Sequence, residues 1–273
     1  MPEGPEIRKA ADAVEKALQN RKVLDISFAF EALQGYEDLL RGADVTRVDT
    51  KGKAMLTRFD NGYTIYSHNQ LYGKWMVRNA YNYPNTNRQL RLAIHNEKKS
   101  ALLYSASDIE VLKDEEVPDH PFIRKIGPDI LSEQVTEEEM IERFKSKRFS
   151  RRKWTSLLLD QSFVAGLGNY LRSEILFASG IHPSLRPGDT EEDKVEEAAR
   201  QTIALIQQSY HHKGITVDLD IAERMKSEGK TRNQYRHWVF RRALQPCHIC
   251  GTKIEKIEAG NRRLYYCPYC QSL

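Results

Sequence analysis

The chain has 273 residues, enough for two compact domains, or two and a small module, each burying its own core. A formal net charge of +4 does not by itself announce a polyanion-binding protein. The N-terminus lacks the apolar stretch of a signal peptide and no run of about 18 apolar residues exists to cross a membrane, so the expectation is a soluble, cytoplasmic protein.

The first six residues, Met1-Pro2-Glu3-Gly4-Pro5-Glu6, admit two readings. One is a plain helix cap. In the other, removal of Met1 leaves the secondary amine of Pro2 beside the Glu3 carboxyl, a nucleophile next to a proton donor. The nitrogen is inert while its lone pair is delocalised into an amide; freed, it can attack an electrophilic carbon and form an iminium. An α-amino group titrates near neutrality, so a useful fraction is unprotonated without special burial. Pro5 and the spacing of Ile7, Ala10, Ala11, Val14, Ala17 and Leu18 predict a helix beginning just after this amine.

Strands are predicted over 23–30, 45–50, 54–59, 63–67, 75–77, 90–95 and 101–105. Asp60-Asn61-Gly62 supplies a tight hairpin turn between two of them. About the first 110 residues are therefore β-rich, and a sandwich or flattened barrel with one leading helix is the natural packing. Lys51-Gly52-Lys53 stands at a strand start. Ser67-His68-Asn69-Gln70-Leu71-Tyr72-Gly73 follows a hairpin. Gln70, Leu71 and Tyr72 offer an amide, an apolar wedge and an aromatic face, either ordinary core packing or a kit for filling the hole left by an extruded base. His68 reads as a hydrogen-bonded structural histidine.

The stretch 120–129 carries two prolines and a glycine and reads as a linker with a small apolar anchor. Helices are expected beyond it, over 136–144 with Thr136 as cap, 154–164, 170–178 and 191–210, and a mobile polar loop over 214–234. The implied divisions are 1–118, a linker over 119–130, 131–235 and 236–273. Charge is unevenly spread along this half. Between Arg143 and Lys153 lie seven basic residues and no acidic one, while Glu137-Glu138-Glu139 and Glu191-Glu192-Asp193 mask them in the sum, a distribution that fits an anion bound on one side.

Gly166-Leu167-Gly168-Asn169-Tyr170 sits between helical segments. It is a plain reversal, or a phosphate nest built from helix N–H groups and the Asn169 side chain. The strongest signal comes last. Cys247-His248-Ile249-Cys250 and Cys267-Pro268-Tyr269-Cys270 are two Cys-x-x-Cys knuckles sixteen residues apart. They would place four thiolates around one structural Zn²⁺ in a ribbon, and no cysteine remains elsewhere for a disulfide framework. Between them Asn261-Arg262-Arg263 holds two guanidiniums on a short hairpin, matched to phosphate or simply solvated.

Taken in register, Met1-Pro2-Glu3-Gly4-Pro5-Glu6, Lys51-Gly52-Lys53, His68 to Gly73, His120-Pro121-Phe122, Gly127-Pro128-Asp129, Gly166 to Tyr170 and the four cysteines resemble the formamidopyrimidine-DNA glycosylase / endonuclease VIII family, in its bacterial endonuclease VIII branch. The resemblance implies an α+β chain: an N-terminal β-sandwich with a leading helix and a helical, helix–two-turn–helix C-terminal domain ending in the four-cysteine zinc ribbon, with DNA in the cleft between. It implies a monomeric bifunctional glycosylase and abasic-site lyase acting on double-stranded DNA, preferring oxidised pyrimidines, with oxidised purines secondary. Pro2 would attack C1′, Glu3 would move protons, Lys53 and Arg262 would hold phosphate and assist successive β and δ eliminations. Gln70, Leu71 and Tyr72 would fill the void, and Lys125 and Asn169 would contact flanking phosphates. Lys125 stands where the family usually has Arg, so a point charge replaces a fork. Two rival readings are a non-catalytic DNA-binding module on the same scaffold, and a zinc-ribbon transcription or translation factor suggested by the cysteines alone.

Overall fold

The leading helix, α1 (Gly4–Leu18), buries Ile7, Ala11, Val14, Ala17 and Leu18 along one stripe, as the i, i+4, i+7 spacing requires. Pro5 occupies its first turn, where a missing N–H leaves no hydrogen bond unmade. The Glu6 carboxylate accepts the Glu3 backbone N–H at 3.0 Å. The structure, a computed structural model, describes residues 2–273. Met1, whose removal the amine chemistry requires, lies outside them.

After α1 come β1 (Asp25–Phe28), the one-turn helices α2 (Glu31–Gln34) and α3 (Glu37–Leu40), then β2 (Val45–Lys51), β3 (Ala54–Phe59), β4 (Tyr63–His68), β5 (Lys74–Asn79), β6 (Leu90–His95), β7 (Lys99–Tyr104) and β8 (Asp108–Lys113). They form two antiparallel four-stranded sheets, β2-β3-β4-β8 and β1-β6-β7-β5. The core between them is built from Ile26, Val48, Met55, Ile65, Trp75, Ile94, Leu103 and Val111, closed by Val14 and Leu18 of α1. β3 is buried on both faces: Met55 and Phe59 enter this core, while Ala54 and Leu56 meet Tyr66, Val117, Phe122 and Ile123 on the other side. That is why it opens with the unbroken apolar run Ala54-Met55-Leu56.

Two local readings change here. β8, at the edge of the β-rich part, was not among the expected strands. Its Ile109-Glu110-Val111 alternation is the signal, obscured by the acidic Asp114-Glu115-Glu116 that follows. In the β3–β4 hairpin only Gly62, at φ +81°, takes a positive φ, so this is a three-residue connection with glycine in the left-handed position.

The chain divides into two units, Met1–Lys125 and Ile126–Leu273. The second holds α4 (Glu137–Lys145), α5 (Trp154–Leu157), α6 (Asn169–Ala178), α7 (Glu192–His211), α8 (Leu219–Ser227) and α9 (Arg232–Tyr235), and ends in the hairpin β9 (Glu255–Glu258) and β10 (Arg263–Tyr266). Thr136 caps α4, accepting the Glu139 N–H at 3.2 Å while Glu139 accepts the Thr136 N–H at 3.0 Å. Met140, Phe144, Trp154, Phe163, Leu171, Ile175, Val195 and Ile206 share one core. No helix among the described residues is long and apolar enough to cross a membrane.

The expected helix over 154–164 stops at Leu157, because side chains capture the backbone that follows. Asp160 accepts the Ser162 N–H at 2.7 Å, and Arg143 donates to the carbonyls of Ser162 and Phe163 at 2.7 and 2.6 Å. The stretch 214–234 is helical in large part. Asp218 caps α8 by accepting the N–H groups of Asp220 and Ile221, each at 3.1 Å, and Ala222 is the one buried residue of that helix. Its polar composition reflects a helix that covers a surface rather than fills a core.

Candidate active site and nucleic-acid interface

In the first unit, pairing registers bring the candidate residues to one end of one sheet. Gln19 bridges Val45, and Glu15 accepts the Val48 N–H at 3.0 Å, so α1 runs backward along β2. From Glu15 back to Glu3 the helix rises about 18 Å, and from Val48 on to Lys53 the strand path covers about 17 Å. The start of α1, with Pro2 and Glu3, is thus directed toward the end of the sheet where β2 turns into β3. That turn is two residues, Gly52-Lys53, between the paired Lys51 and Ala54, and Gly52 takes φ +60° at its first position. Glu3 and Lys53 are both buried, at 2% and 8% exposure. Acidic and basic side chains are this buried only where their polar atoms are satisfied.

Ala54 pairs with His68 and His68 with Asp108, which brings the start of the β4–β5 loop to the same end. His68 Nδ1 accepts the Gln70 N–H at 3.0 Å, so this nitrogen carries no proton. Burial lowers the His68 pKa below 6.5; Asp108 opposes the shift and Lys53 adds to it. The histidine is thus a neutral structural group, and it lies close enough to Lys53 to feel its charge. Leu71 and Tyr72 are 61% and 71% exposed, so the core-packing reading of Gln70-Leu71-Tyr72 does not hold. An apolar and an aromatic side chain project from a tight loop into solvent.

Phe122 packs edge-on against His68 at 5.3 Å and against Tyr66, and His120 lies tilted against Tyr66 with ring centroids 4.1 Å apart. Burial first, then Asp108 and Glu110, hold the Tyr66 phenol well above its usual value. This aromatic anchor fixes the short 3-10 turn Ile123–Lys125 on the unit, with Lys125 exposed.

The second unit gathers the other candidates. Gly166 takes φ +88°, and its N–H donates to Gln161 Oε1 at 3.1 Å. Asn169 opens α6 behind Gly168. Arg172, fully buried one turn along, donates to Thr155 O at 2.9 Å, Arg263 O at 3.1 Å and Ala259 O at 3.4 Å, and reaches Asn169 Oδ1 at 3.4 Å. Ala259 and Arg262 close a hairpin turn over Gly260 and Asn261, at φ +62° and +56°. One guanidinium thus ties the Asn169 side chain to carbonyls on both sides of Arg262, and Arg262 and Arg263 stay exposed.

Glu174, also fully buried, accepts the N–H groups of Trp238, Val239 and Phe240 at 2.7, 3.0 and 2.9 Å and the Thr216 hydroxyl at 2.5 Å. It fastens the strap that leads into the cysteine ribbon. Neither residue was singled out from sequence. Two charges inside a helix whose other residues are mostly apolar were the available signal.

The seven basic residues between Arg143 and Lys153 divide. Arg143 holds backbone carbonyls, Arg152 pairs with Asp160 and Lys145 with Glu192, and Lys147, Arg148, Arg151 and Lys153 remain exposed.

The sulfurs of Cys247, Cys250, Cys267 and Cys270 all lie within 4.8 Å of one another. Cys247–Cys270 and Cys250–Cys267 separations are 3.9 and 3.5 Å, bracketing the ~3.8 Å edge of a tetrahedron with Zn–S bonds of ~2.3 Å. Backbone N–H groups of Ile249 and Cys270 point at Cys247 and Cys267 sulfurs, at 3.4 and 3.5 Å, as outer-shell donors to thiolates do. The donor set fits one structural zinc ion with every position filled.

Comparison with known proteins agrees with this geometry. Residues 1–107 match the formamidopyrimidine-DNA glycosylase N-terminal domain, residues 126–220 its H2TH domain, and residues 245–273 the zinc finger found in FPG and IleRS. The chain is 44% identical over 271 residues to proteins named endonuclease 8 from Salmonella arizonae and Klebsiella pneumoniae, covering 99% of this chain and 100% of each relative. Among solved structures, it is similar in fold to Lactococcus lactis formamidopyrimidine DNA glycosylase bound to DNA containing an AP site, with a TM-score of 0.81 and 20% identity over 99% of this chain and 100% of that one. The same enzyme with N7-benzyl-Fapy-dG DNA gives 0.82 and 23% over the whole of both chains.

Proposed function

The chain belongs to the formamidopyrimidine-DNA glycosylase / endonuclease 8 family and is a DNA glycosylase with abasic-site lyase activity in base excision repair, and from that premise we propose that it works through a Schiff base on Pro2 and prefers oxidised pyrimidines. What supports the mechanism is the direction of α1 along β2, which leads back toward Pro2 and Glu3 as β2 leads to its turn at Lys53, together with the burial of Glu3 and Lys53 and the exposed Leu71-Tyr72 tip.

With Met1 removed, the Pro2 nitrogen attacks C1′ of the damaged nucleotide. The C1′–base bond breaks, the base leaves with the electron pair and takes up a proton, and an iminium joins enzyme to the opened sugar. Glu3 is placed to deliver and recover protons during ring opening. Loss of a C2′ proton expels the 3′ phosphate, a second elimination expels the 5′ phosphate, and water releases the sugar fragment and frees the amine. Lys53 and Arg262 bind the departing phosphates, the first as a point charge, the second as a fork. Gln70, Leu71 and Tyr72 occupy the space the extruded nucleotide vacates, and Lys125 and Asn169 hold neighbouring phosphates. The zinc ion takes no part in these steps; held by Cys247, Cys250, Cys267 and Cys270, it stiffens the ribbon that carries Arg262. Preference for oxidised pyrimidines rests on the full-length likeness to proteins named endonuclease 8. The enzyme acts as a monomer at the bacterial nucleoid, where its substrate is.

Borohydride trapping tests the mechanism. The mature protein should form a covalent adduct with a duplex bearing an abasic site, and Pro2→Gly should bind the duplex but form adduct far more slowly. Absence of adduct from the mature protein would sink the enzymatic reading; unchanged kinetics in Pro2→Gly would remove Pro2 from it.

A further inference from the structure

The loop that carries Leu71 and Tyr72 is tied down before any DNA arrives, in part by Ser107 and Arg88 from outside it. The Gly73 N–H donates to Asn69 O at 2.7 Å. A Cβ at position 73 would stand 2.5 Å from that same oxygen, so only glycine closes the turn. Gln70 is held at φ +47°, its N–H on His68 Nδ1 and its side-chain oxygen accepting from the Ser107 hydroxyl at 3.1 Å. These contacts fix the base of the loop. The tip is different: Leu71 and Tyr72 are exposed, so core packing does not hold them. The tie at the tip runs to Arg88, in the 80–89 connection between β5 and β6, whose Nη1 donates to the Tyr72 carbonyl at 2.6 Å. Arg88 lies in a shallow depression beside the tip, shared with Asn87, Gln89, Arg91 and Ser105.

A hydrogen bond from a charged donor is shorter and roughly twice as strong as a neutral one. A wedge also acts best when its shape is set before binding, because ordering it on the substrate is subtracted from the gain. We propose that Arg88 is the positioning residue of the void-filling tip: by gripping the Tyr72 carbonyl it sets how Leu71 and Tyr72 are presented to the duplex. This rests on the reading of Gln70-Leu71-Tyr72 as void fillers. In this assignment Arg88 acts only through the tip, by its hydrogen bond to the Tyr72 carbonyl.

The test compares cleavage of one abasic site in duplex and in the same single strand, where no stacked helix has a void to fill. With the full-length mature enzyme, Arg88→Ala should lower the duplex-to-single-strand ratio of kcat/KM about five- to tenfold, the scale of one such hydrogen bond. Arg88→Lys, which keeps a donor without the fork, should restore part of it. Leu71→Gly should lower the same ratio, and Arg88→Ala added to Leu71→Gly should lower it little further, because both act through one element. Equal loss on both substrates would make Arg88 a plain phosphate contact and overturn the assignment, as would additive effects. If Leu71→Gly lowers the ratio and Arg88→Ala does not, the positioning role alone is overturned. If Leu71→Gly leaves the ratio unchanged, the void-filling reading falls, and the role of Arg88 with it.

Discussion

Glu174→Gln should uncouple the zinc ribbon from the helical unit without touching any residue assigned to DNA or sugar. The native carboxylate has Val239 and Phe240 N–H groups on Oε1, and the Trp238 N–H and the Thr216 hydroxyl on Oε2. A glutamine must point its NH2 at one pair. Pointed at Val239 and Phe240 it confronts two fixed donors. Pointed the other way it can be accepted by a rotated Thr216 hydroxyl, but it faces the Trp238 N–H from 2.7 Å and leaves that donor unmade. The better orientation thus loses one hydrogen bond to a buried charge and weakens three others, a cost of about 2–4 kcal/mol. The damage propagates because Val239, in the middle of the strap, packs with Cys247 and Cys267 in the ribbon's small core. Urea unfolding followed by tryptophan fluorescence should show the loss, since Trp154 and Trp238 both lie in this unit, and a chromogenic chelator should draw zinc faster. A variant within about 0.5 kcal/mol of wild type, with unchanged zinc release, would refute the view that Glu174 fastens the ribbon, because surface-like tolerance is of that size.

Two further outcomes follow from the same unit. Cys267→Ser, or exhaustive chelation, should abolish bound zinc by elemental analysis and reduce duplex cleavage by at least about tenfold, since the ribbon's fold and the Arg262 hairpin depend on the ion; full activity in a zinc-free sample would contradict the structural role. Acid should destabilise the protein through His237. Burial, then the charges of Arg236, Arg232, Arg241 and Arg242, hold its pKa well below the ordinary 6.5, so in that window the unfolded chain binds the extra proton. Stability is present in full above pH 6.5 and is lost as pH falls toward the folded value, at about 1.36 kcal/mol for each pH unit of the shift. Replacing His237 with Gln should flatten that part of the stability profile measured by denaturant melts.

Much of the site was legible because its signals are local. Four cysteines in two knuckles name their metal by spacing alone. Pro2 and Glu3 carry their chemistry in adjacent residues, and Thr136 announces a helix start through Glu139 three positions on. The departures also have local causes that propensity does not weigh. Arg143 and Asp160 stop a helix by capturing backbone groups, and Asp218 starts one in a tract too polar to suggest it.

By itself the sequence determined which chemistries are on offer: a proline that becomes an N-terminal amine once Met1 is removed, a carboxyl beside it, a four-cysteine zinc ribbon, an amide, apolar and aromatic triplet at Gln70-Leu71-Tyr72 and a β-rich half followed by a helical one. Only the tertiary structure decided which of them meet. That α1 runs backward along β2, and that the turn at Lys53 and the start of the loop carrying Leu71 lie at one end of a sheet, depends on registers set by burial across a whole sandwich. That Leu71 and Tyr72 face solvent, and that buried Arg172 and Glu174 tie distant segments together, depends likewise on long-range packing. A side chain's neighbours in space are fixed by how the layers close, and a linear spacing of residues holds no record of that closure.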